Sequence, residues 1–455
     1  MSIALIVLAA GQGTRMKSDM PKVLHEIAGA PMLVHALRAG ASLKPAHSVV
    51  VTGHGAERVE GAARIYDPQL DFVHQAEQKG TGHAAAQAAP CLGNFDGDAV
   101  VLYGDTPFVS ARTLSRLIET RARYDVVVLG FDAADPGRYG RLIMNGDTLE
   151  RIVEFKDADA DTRAITFCNS GILAAPAPLL FDLINATGTQ NAAGEYYLTD
   201  VVEIARERGH SVTAIACDEA ETLGVNSRAD LARAEAIFQD ESRAAAMENG
   251  VTLVAPDTVH FSYDTEIGQD TRIEPNVVFG PGVTIEGGAL IRAFSHLEGC
   301  HVASDAVVGP YARLRPGTDL AAGARVGNFV EVKSARIDAG AKINHLSYVG
   351  DAHVGARANI GAGTITCNYD GVFKHRTEIG EEAFIGSNTM LVAPVSVGRE
   401  ALTASGSVIT RDVPDGALSV ARAQQTNKPG LARKLFASLR ARRNKTNDSQ
   451  KNSEK

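Results

Sequence analysis

The sequence has no tryptophan, no Cys-x-x-Cys pair, no excess of basic residues and no long apolar run. The formal net charge of −9 argues against a nucleic-acid binder, because such proteins need a basic surface for the phosphates. The five cysteines, at 91, 168, 217, 300 and 367, are odd in number and widely spaced. They fit reduced thiols in a cytoplasmic protein, not a disulfide framework or a zinc site. No segment approaches the ~20 apolar residues needed to span a bilayer. The apolar stretch 3–10 lacks a preceding positive flank and runs into Gly-Gln-Gly instead of a cleavage site. It reads as a buried first strand, not as a signal peptide.

A chain of 455 residues has room for two or three domains, and its two halves follow different patterns. Up to about residue 226, strand-like runs at 3–9, 48–52, 99–103, 125–131, 149–154 and 212–216 alternate with helical stretches such as 32–41 and 110–124. Ser110 is a candidate cap for the second of these. The alternation predicts an α/β layer fold with a largely parallel sheet, whose ligands sit beyond the carboxyl ends of the strands. Residues 228–248 are rich in alanine and charge with no Gly or Pro, which predicts one linker helix ended by Asn249-Gly250.

After residue 250 a six-residue period sets in. Aliphatic or aromatic residues recur at Ile267, Ile273, Phe279, Ile285, Ile291 and Leu297, then, after a slip of one, at Val302, Val308, Leu314, Leu320, Val326 and Val332. The series continues at Ile337, Ile343 and Val349 and returns at Ile379, Ile385, Leu391 and Val397. A period of six fits neither an α-helix nor sandwich strands; it predicts a hexapeptide β-helix whose coils stack these residues on one another. Two segments, 329–336 and 363–377, break the repeat, and such breaks become loops on one face. The expected divisions are 1–226, a linker at 227–250, a β-helix at 251–425 and a basic, partly disordered tail at 426–455. The tail reads either as a membrane-surface element or as solvated chain; no second anchor accompanies it, so no stable membrane insertion is expected.

The stretch 5–22, "LIVLAAGQGTRMKSDMPK", has the form of a phosphate loop. A Walker loop needs Gly-Lys-Ser/Thr where Thr14-Arg15 follows Gly13, and a dinucleotide fingerprint needs a third glycine where Met16 stands. What remains is a loop whose backbone N–H groups can cradle a phosphate, with Arg15 and Lys22 supplying charge to a phosphoryl-transfer transition state. On spacing alone the two cations could also be solvated surface charges, and Asp105 a turn residue before Pro107.

"LAAGQGTRM…PK" resembles the signature of the sugar-1-phosphate nucleotidyltransferases. The pieces "QAEQKGTGHA" (75–84), "LYGDTP" (102–107), "YGR" (139–141), "VEFKD" (153–157), "CNSGI" (168–172), "EYYLTD" (195–200) and "GVNSR" (224–228) follow in order. Together with a hexapeptide-repeat half that carries "NIGAGTITCNYDG" (359–371), nearly the whole chain is similar to one bacterial family. That family joins an N-acetylglucosamine-1-phosphate uridylyltransferase to a glucosamine-1-phosphate N-acetyltransferase in a single chain.

The resemblance implies a Rossmann-like first domain and a left-handed parallel β-helix. It also implies two reactions of cell-envelope precursor synthesis, acetyl transfer from acetyl-CoA to glucosamine-1-phosphate and uridylyl transfer from UTP with release of pyrophosphate. It places Leu8, Ala9, Gly11, Gln75, Gly80, Thr81, Tyr103 and Gly104 around the nucleotide, and Gly140, Glu154, Asn169 and Thr199 on the sugar. Arg15 and Lys22 would meet the phosphates, while Asp105 and Asn226 would bind Mg²⁺, with Mn²⁺ an alternative. Nucleotide-bound Mg²⁺ needs only one or two protein ligands.

In the second half the resemblance makes His345 the general base, Arg315 and Lys333 the phosphate holders, and Tyr348 and Asn359 part of the amino-sugar pocket. Asn368 and Tyr369 are shared between that pocket and the acetyl-CoA site, which Ala362, Ser387, Ser405 and Arg422 complete. Ser405 departs from the family pattern, which has alanine there, and puts coenzyme affinity in question. A homotrimer is implied, with 350–425 reaching an adjacent subunit and no nucleic-acid partner. Two alternatives stay open: a nucleotidyltransferase whose β-helix serves only assembly, and a sugar-nucleotide-binding scaffold without turnover.

Overall fold

The structure, a computed structural model, describes residues 2–453, with side chains through Lys445. The chain folds as two compact units, Met1–Ser304 and Asp305–Lys455.

In the first unit, Ile3–Ala9 is a strand buried along its whole length, as an aliphatic segment covered on both faces must be. Across the sheet the strands run Val212–Cys217, Val126–Asp132, Phe167–Pro176, Asp98–Tyr103, Ile3–Ala9, His47–Thr52 and Asp71–His74. Ile3–Ala9 pairs in parallel with both neighbours, so their carboxyl ends open on the same edge. Side chains alternate between two apolar layers, Ala4, Ile6 and Leu8 in one and Ile3, Leu5, Val7 and Ala9 in the other.

Each strand expected from the sequence is present, but the sheet is more mixed than expected. Phe167–Pro176 runs antiparallel to both of its neighbours, and Arg141–Asn145 forms a hairpin with Thr148–Val153. The strand at 167 escapes a hydrophobic scan because its first half carries Asn169, Ser170 and Gly171, where the pairing register shifts between Asn169 and Leu173. Ser110 caps helix Ala111–Arg121 as expected, its hydroxyl accepting from Thr113 N at 3.1 Å.

Helix Arg228–Glu248 starts on a capping box of Ser227 and Asp230 and ends on Asn249. Gln239 Nε2 donates to Phe261 O at 2.7 Å, and Arg243 Nε to Val259 O at 3.0 Å. The Ser262 hydroxyl donates to Ala28 O at 3.0 Å. These bonds hold the helix and the first repeat coils within the first unit.

In the second unit, one coil takes three six-residue repeats, so the periodic residues fall into three columns. Val308 stands opposite Val326, Val326 opposite Ile343 and Ile343 opposite Ile360. Leu314, Val332 and Val349 form a second column, and Leu320, Ile337, Val354, Ile379 and Val397 a third. All of these side chains are buried, and each contributes about 1.5–3 kcal/mol by leaving water. Of the periodic residues named from the sequence, Ile267 alone is only half-buried. The five cysteines are free thiols.

The expected break at 363–377 is a loop extruded from the coil. Asp370 organises it by accepting from Val372 N at 2.8 Å, Phe373 N at 2.7 Å and His375 Nε2 at 2.6 Å. These bonds, that from His375 first, hold its carboxyl down at about 2. Within the segment expected as a basic, partly disordered tail at 426–455, the structure has a helix, Leu431–Ser453. Leu, Ala, Arg and Lys favour that state, and its described side chains all stand in solvent. Residues 454 and 455, part of the same expectation, lie outside the described residues. Among the described residues no helix is long and apolar enough to cross a membrane.

Truncating one column residue leaves a hole that neighbouring coils cannot close. Ile343→Ala, at a fully buried position, should cost about 2–5 kcal/mol. Equilibrium denaturation should show it as a lowered midpoint, and an unchanged midpoint would contradict the stacking described.

Candidate active sites

The first strand ends at Ala9, and the chain turns through Gly11, Gln12 and Gly13. Gly13 sits at φ 65°, and a Cβ there would lie 2.5 Å from Lys22 Cβ. The second glycine therefore lets the loop close onto Lys22. Gly11 is different: a Cβ there would meet nothing within 4 Å, so this residue borders open space. That space is a cavity of about 310 Å³ lined by Leu8, Ala9, Gly11, Lys22, Gln75, Gly80, Thr81, Tyr103 and Asp105, all named from the sequence. Gln78 and Glu195 line it too and were not anticipated. Gln78 Nε2 donates to Ala10 O at 3.0 Å and fixes the turn after the strand. Gly104 lies against the strand end, its N–H donating to Leu8 O at 2.9 Å.

At one side of the cavity four segments converge. Lys22 Nζ is paired with Asp105 Oδ2 and donates to Asn226 Oδ1 at 3.0 Å. Arg15 Nη2 donates to the same Asn226 oxygen at 2.8 Å. Val225 N donates to Asp105 O at 3.0 Å, which locks the two backbone segments together. A carboxylate and an amide oxygen, both hard donors, thus reach one cationic group, and that suits Mg²⁺ or Mn²⁺. Among the described residues no group of three or more His, Cys, Asp or Glu could hold a metal. A cation at this site would need phosphate and water to complete its shell.

The four residues expected on the sugar also meet. Thr199 Oγ1 donates to Glu154 Oε1 at 3.2 Å, Asn169 N to Gly140 O at 2.9 Å, and Gly171 N to Asn169 Oδ1 at 2.9 Å. Glu154 lines a second cavity of about 420 Å³ with Arg138, Phe155, Lys156, Ala193, Glu195 and Tyr197. Burial pushes the Glu154 carboxyl above the ordinary carboxylate range.

The "YGR" motif held a residue whose role the sequence did not disclose. Arg141 is 2% exposed, and its guanidinium donates to the carbonyls of Tyr139, Gly137 and Arg163. It pins the turn that presents Gly140. An arginine opening a strand was the only signal, and it does not name its carbonyl partners.

Asp200, the last residue of "EYYLTD", lies close by. Its carboxyl is pushed up from 3.8 to about 6, by burial first and then by Glu203, Glu154 and Asp157. Between those two values the folded chain holds a proton that the unfolded chain has released, so stability falls as pH rises through the window. Asp200→Asn should raise Tm at about pH 8 and have little effect near pH 3.5. A Tm difference independent of pH would show that the carboxylate is compensated in the folded state.

In the second unit the site follows one corner of the β-helix. Phe329, Leu346, Gly363, Asn388 and Gly406 all have positive φ and turn the chain there. The residues immediately before them, Asn328, His345, Ala362, Ser387 and Ser405, stack from coil to coil. Leu346 N donates to Asn328 O at 3.0 Å, Gly363 N to His345 O at 3.2 Å, Asn388 N to Ala362 O at 2.7 Å and Gly406 N to Ser387 O at 2.8 Å. His345 and three of the expected acetyl-CoA residues therefore share one edge, and beyond His345 that edge carries only small side chains. His345 Nδ1 lies 2.7 Å from Asn328 Oδ1. Asn328, unanticipated from the sequence, fixes the proton on Nδ1 and leaves Nε2 as the basic nitrogen.

Tyr348 and Asn368 come together over Gly350, with Asn368 Nδ2 3.4 Å from the Tyr348 hydroxyl and bonded to Asp351. A Cβ on Gly350 would run into that hydroxyl and lie 2.8 Å from Asn368 Nδ2. Arg315 Nη1 pairs with Glu331 at 2.8 Å, while Lys333 sits beside Gly350 one coil on. Asn359 stands on a neighbouring column between Lys342 and Phe384. Tyr369 lies on the extruded loop under Lys374, and Arg422 is exposed. Neither touches His345 within the described bonds.

Residues 5–175 match the family model of the MobA-like NTP transferase domain, which makes the first half a nucleotidyltransferase. Curated relatives extend the match across the chain. It is 64% identical over 439 residues to the "Bifunctional protein GlmU" of Jannaschia sp. (strain CCS1), covering 96% of this chain and 97% of that one. It is 67% identical to the protein of the same name from Ruegeria sp. (strain TM1040), covering 97% and 99%. The identity with that of Ruegeria pomeroyi is 66%, covering 97% and 98%. The chain belongs to the bifunctional GlmU family. It is an enzyme with two transferase activities, uridylyltransferase and glucosamine-1-phosphate acetyltransferase, and not a nucleotidyltransferase with an inert β-helix.

Proposed function

We propose that UDP-N-acetylglucosamine is made in two steps, acetyl transfer at the His345 edge followed by uridylyl transfer at the Arg15, Lys22, Asp105 and Asn226 cluster. The observation that carries the reading is the convergence of those four side chains beside a cavity lined by the nucleotide residues.

In the first step, His345 Nε2 takes the proton of the substrate ammonium, and the freed amine attacks the thioester carbonyl. The C–N bond forms, the C–S bond breaks, the imidazolium gives its proton to the leaving thiolate, and the second proton shed by the nitrogen as it becomes an amide passes to water. Asn328 acts as the positioning residue by holding the ring through Nδ1. Arg315 and Lys333 receive the sugar phosphate, for which Glu331 competes at Arg315. Tyr348, Asn359, Asn368 and Tyr369 border the amino sugar. Ala362, Ser387, Ser405 and Arg422 receive the coenzyme.

In the second step, a phosphate oxygen of N-acetylglucosamine-1-phosphate attacks the α-phosphorus of UTP, and the bond to pyrophosphate breaks. The nucleophile is already an anion, so positioning and charge suffice. Lys22 and Arg15 offset the charge on the phosphates, Gly140, Glu154, Asn169 and Thr199 orient the sugar, and the cavity holds the nucleotide. Mg²⁺, or Mn²⁺, held by Asp105 and Asn226 would neutralise phosphate charge when bound.

The exposed apolar side chains of the extruded loop, Tyr369, Val372 and Phe373, support a homotrimer in which this loop reaches an adjacent subunit. The cytoplasm, where acetyl-CoA and UTP are available, is the proposed compartment.

Two assays on single variants test the assignments. Arg15→Ala or Lys22→Ala should reduce pyrophosphate release about 10²-fold or more while thiol release from acetyl-CoA stays at wild-type level. His345→Ala should give the opposite pattern. Asn328→Ala should lower kcat of acetyl transfer and shift its pH profile with little change in KM. Equal loss of both activities in any one variant would count against two separate sites.

A further inference from the structure

Asp105 Oδ2 and Asn226 Oδ1, the two oxygens assigned above to the metal, are both bonded to one side-chain ammonium. Lys22 Nζ pairs with the first and donates to the second at 3.0 Å, and Arg15 reaches the second as well. The Lys22 and Asp105 side chains are only 13% and 20% exposed, so neither charge can be left without a partner cheaply. The same ammonium is the group expected on the UTP phosphates. It cannot serve both sets of oxygens from one position.

We infer that Lys22 is a built-in competitor of the metal, and that the nucleotide's triphosphate decides the competition. Metal arriving alone would have to expel Lys22 from Asp105 and Asn226. That would strand a largely buried ammonium beside a divalent cation and the Arg15 guanidinium. When a triphosphate is in the cavity, its oxygens give Lys22 and Arg15 new partners, and the two protein oxygens are released to the metal. Metal and nucleotide therefore bind with positive coupling, each raising the affinity for the other by the same factor. The backbone of the loop supports such a swing. Lys22 begins a short 3-10 turn after Pro21, and Arg15 lies in another after Gly13, so both cations sit on loop structure and not inside a long helix. Acid and amide are held differently, by the Val225 N–H to Asp105 O bond and by Asn226 Nδ2 donating to Gly224 O at 3.3 Å. The cations can leave while the oxygens stay.

This inference rests on the metal assignment proposed above, and the test separates the two. The full-length protein is titrated with Mn²⁺ alone, with no nucleotide, and the free ion is followed by its paramagnetic resonance signal. Wild type should bind the ion weakly at this site. Lys22→Ala and Lys22→Met should bind it about tenfold more tightly, a factor within the usual range for coupled sites. The double variant Lys22→Met/Asp105→Asn should lose that gain. If neither single variant binds Mn²⁺ more tightly than wild type, Lys22 is no competitor, whatever the fate of the metal assignment. If the gain appears but survives Asp105→Asn, the ion sits elsewhere, and both the assignment and the inference fall. Both single variants leave Asp105 without its partner and should melt lower than wild type, so the titrations are run well below each variant's Tm, and added Mn²⁺ should raise the Tm of Lys22→Met more than that of wild type.

Discussion

The chemistry of the second half depends on one constraint: each coil of the β-helix must bring an aliphatic residue back to the same three columns. That requirement sets the coil length, and coil length sets which residues share a corner. Asn328, His345, Ala362, Ser387 and Ser405 lie on one edge although they are spread over most of the repeat. Nothing in the edge residues themselves enforces this. Column residues such as Val326, Ile343 and Ile360 place His345 by being buried.

The α/β half solves the same problem of gathering remote residues by a different route. Parallel strands deliver their carboxyl ends to one edge, and loops of different lengths leave from there. Arg15 and Asn226 meet across more than two hundred residues of chain because one loop follows the first strand and the other returns beside Asp105. Close packing then refines the geometry. Gly13 permits the loop to touch Lys22, and buried Arg141 holds the carbonyls of the turn next to Gly140.

What the sequence disclosed follows from how each signal is written. The six-residue period is local and repeated, so the β-helix was legible almost residue by residue, with Ile267 the weakest member. Uninterrupted apolar runs such as Ile3–Ala9 were equally plain. Strand Phe167–Pro176 was hidden because its first half carries Asn169, Ser170 and Gly171, where the pairing register shifts and Asn169 Oδ1 accepts from Gly171 N, so no hydrophobic pattern marks it. Asn328 and Arg141 stayed silent because their roles rest on partners that are chosen by the fold. Asn328 finds His345 only because the coil between them has the right length.

The corner edge also acts as a ruler. Successive coils stand about 4.8 Å apart, so the steps from His345 through Ala362 and Ser387 to Ser405 mark out roughly 14 Å in equal divisions. A long, thin ligand laid along that edge is measured by counting coils. Its reactive end can be held at His345 while its far end is met at a distance that is a whole number of rungs. Inserting or removing a complete coil beyond Ser405 would change the length of the scale without moving its zero.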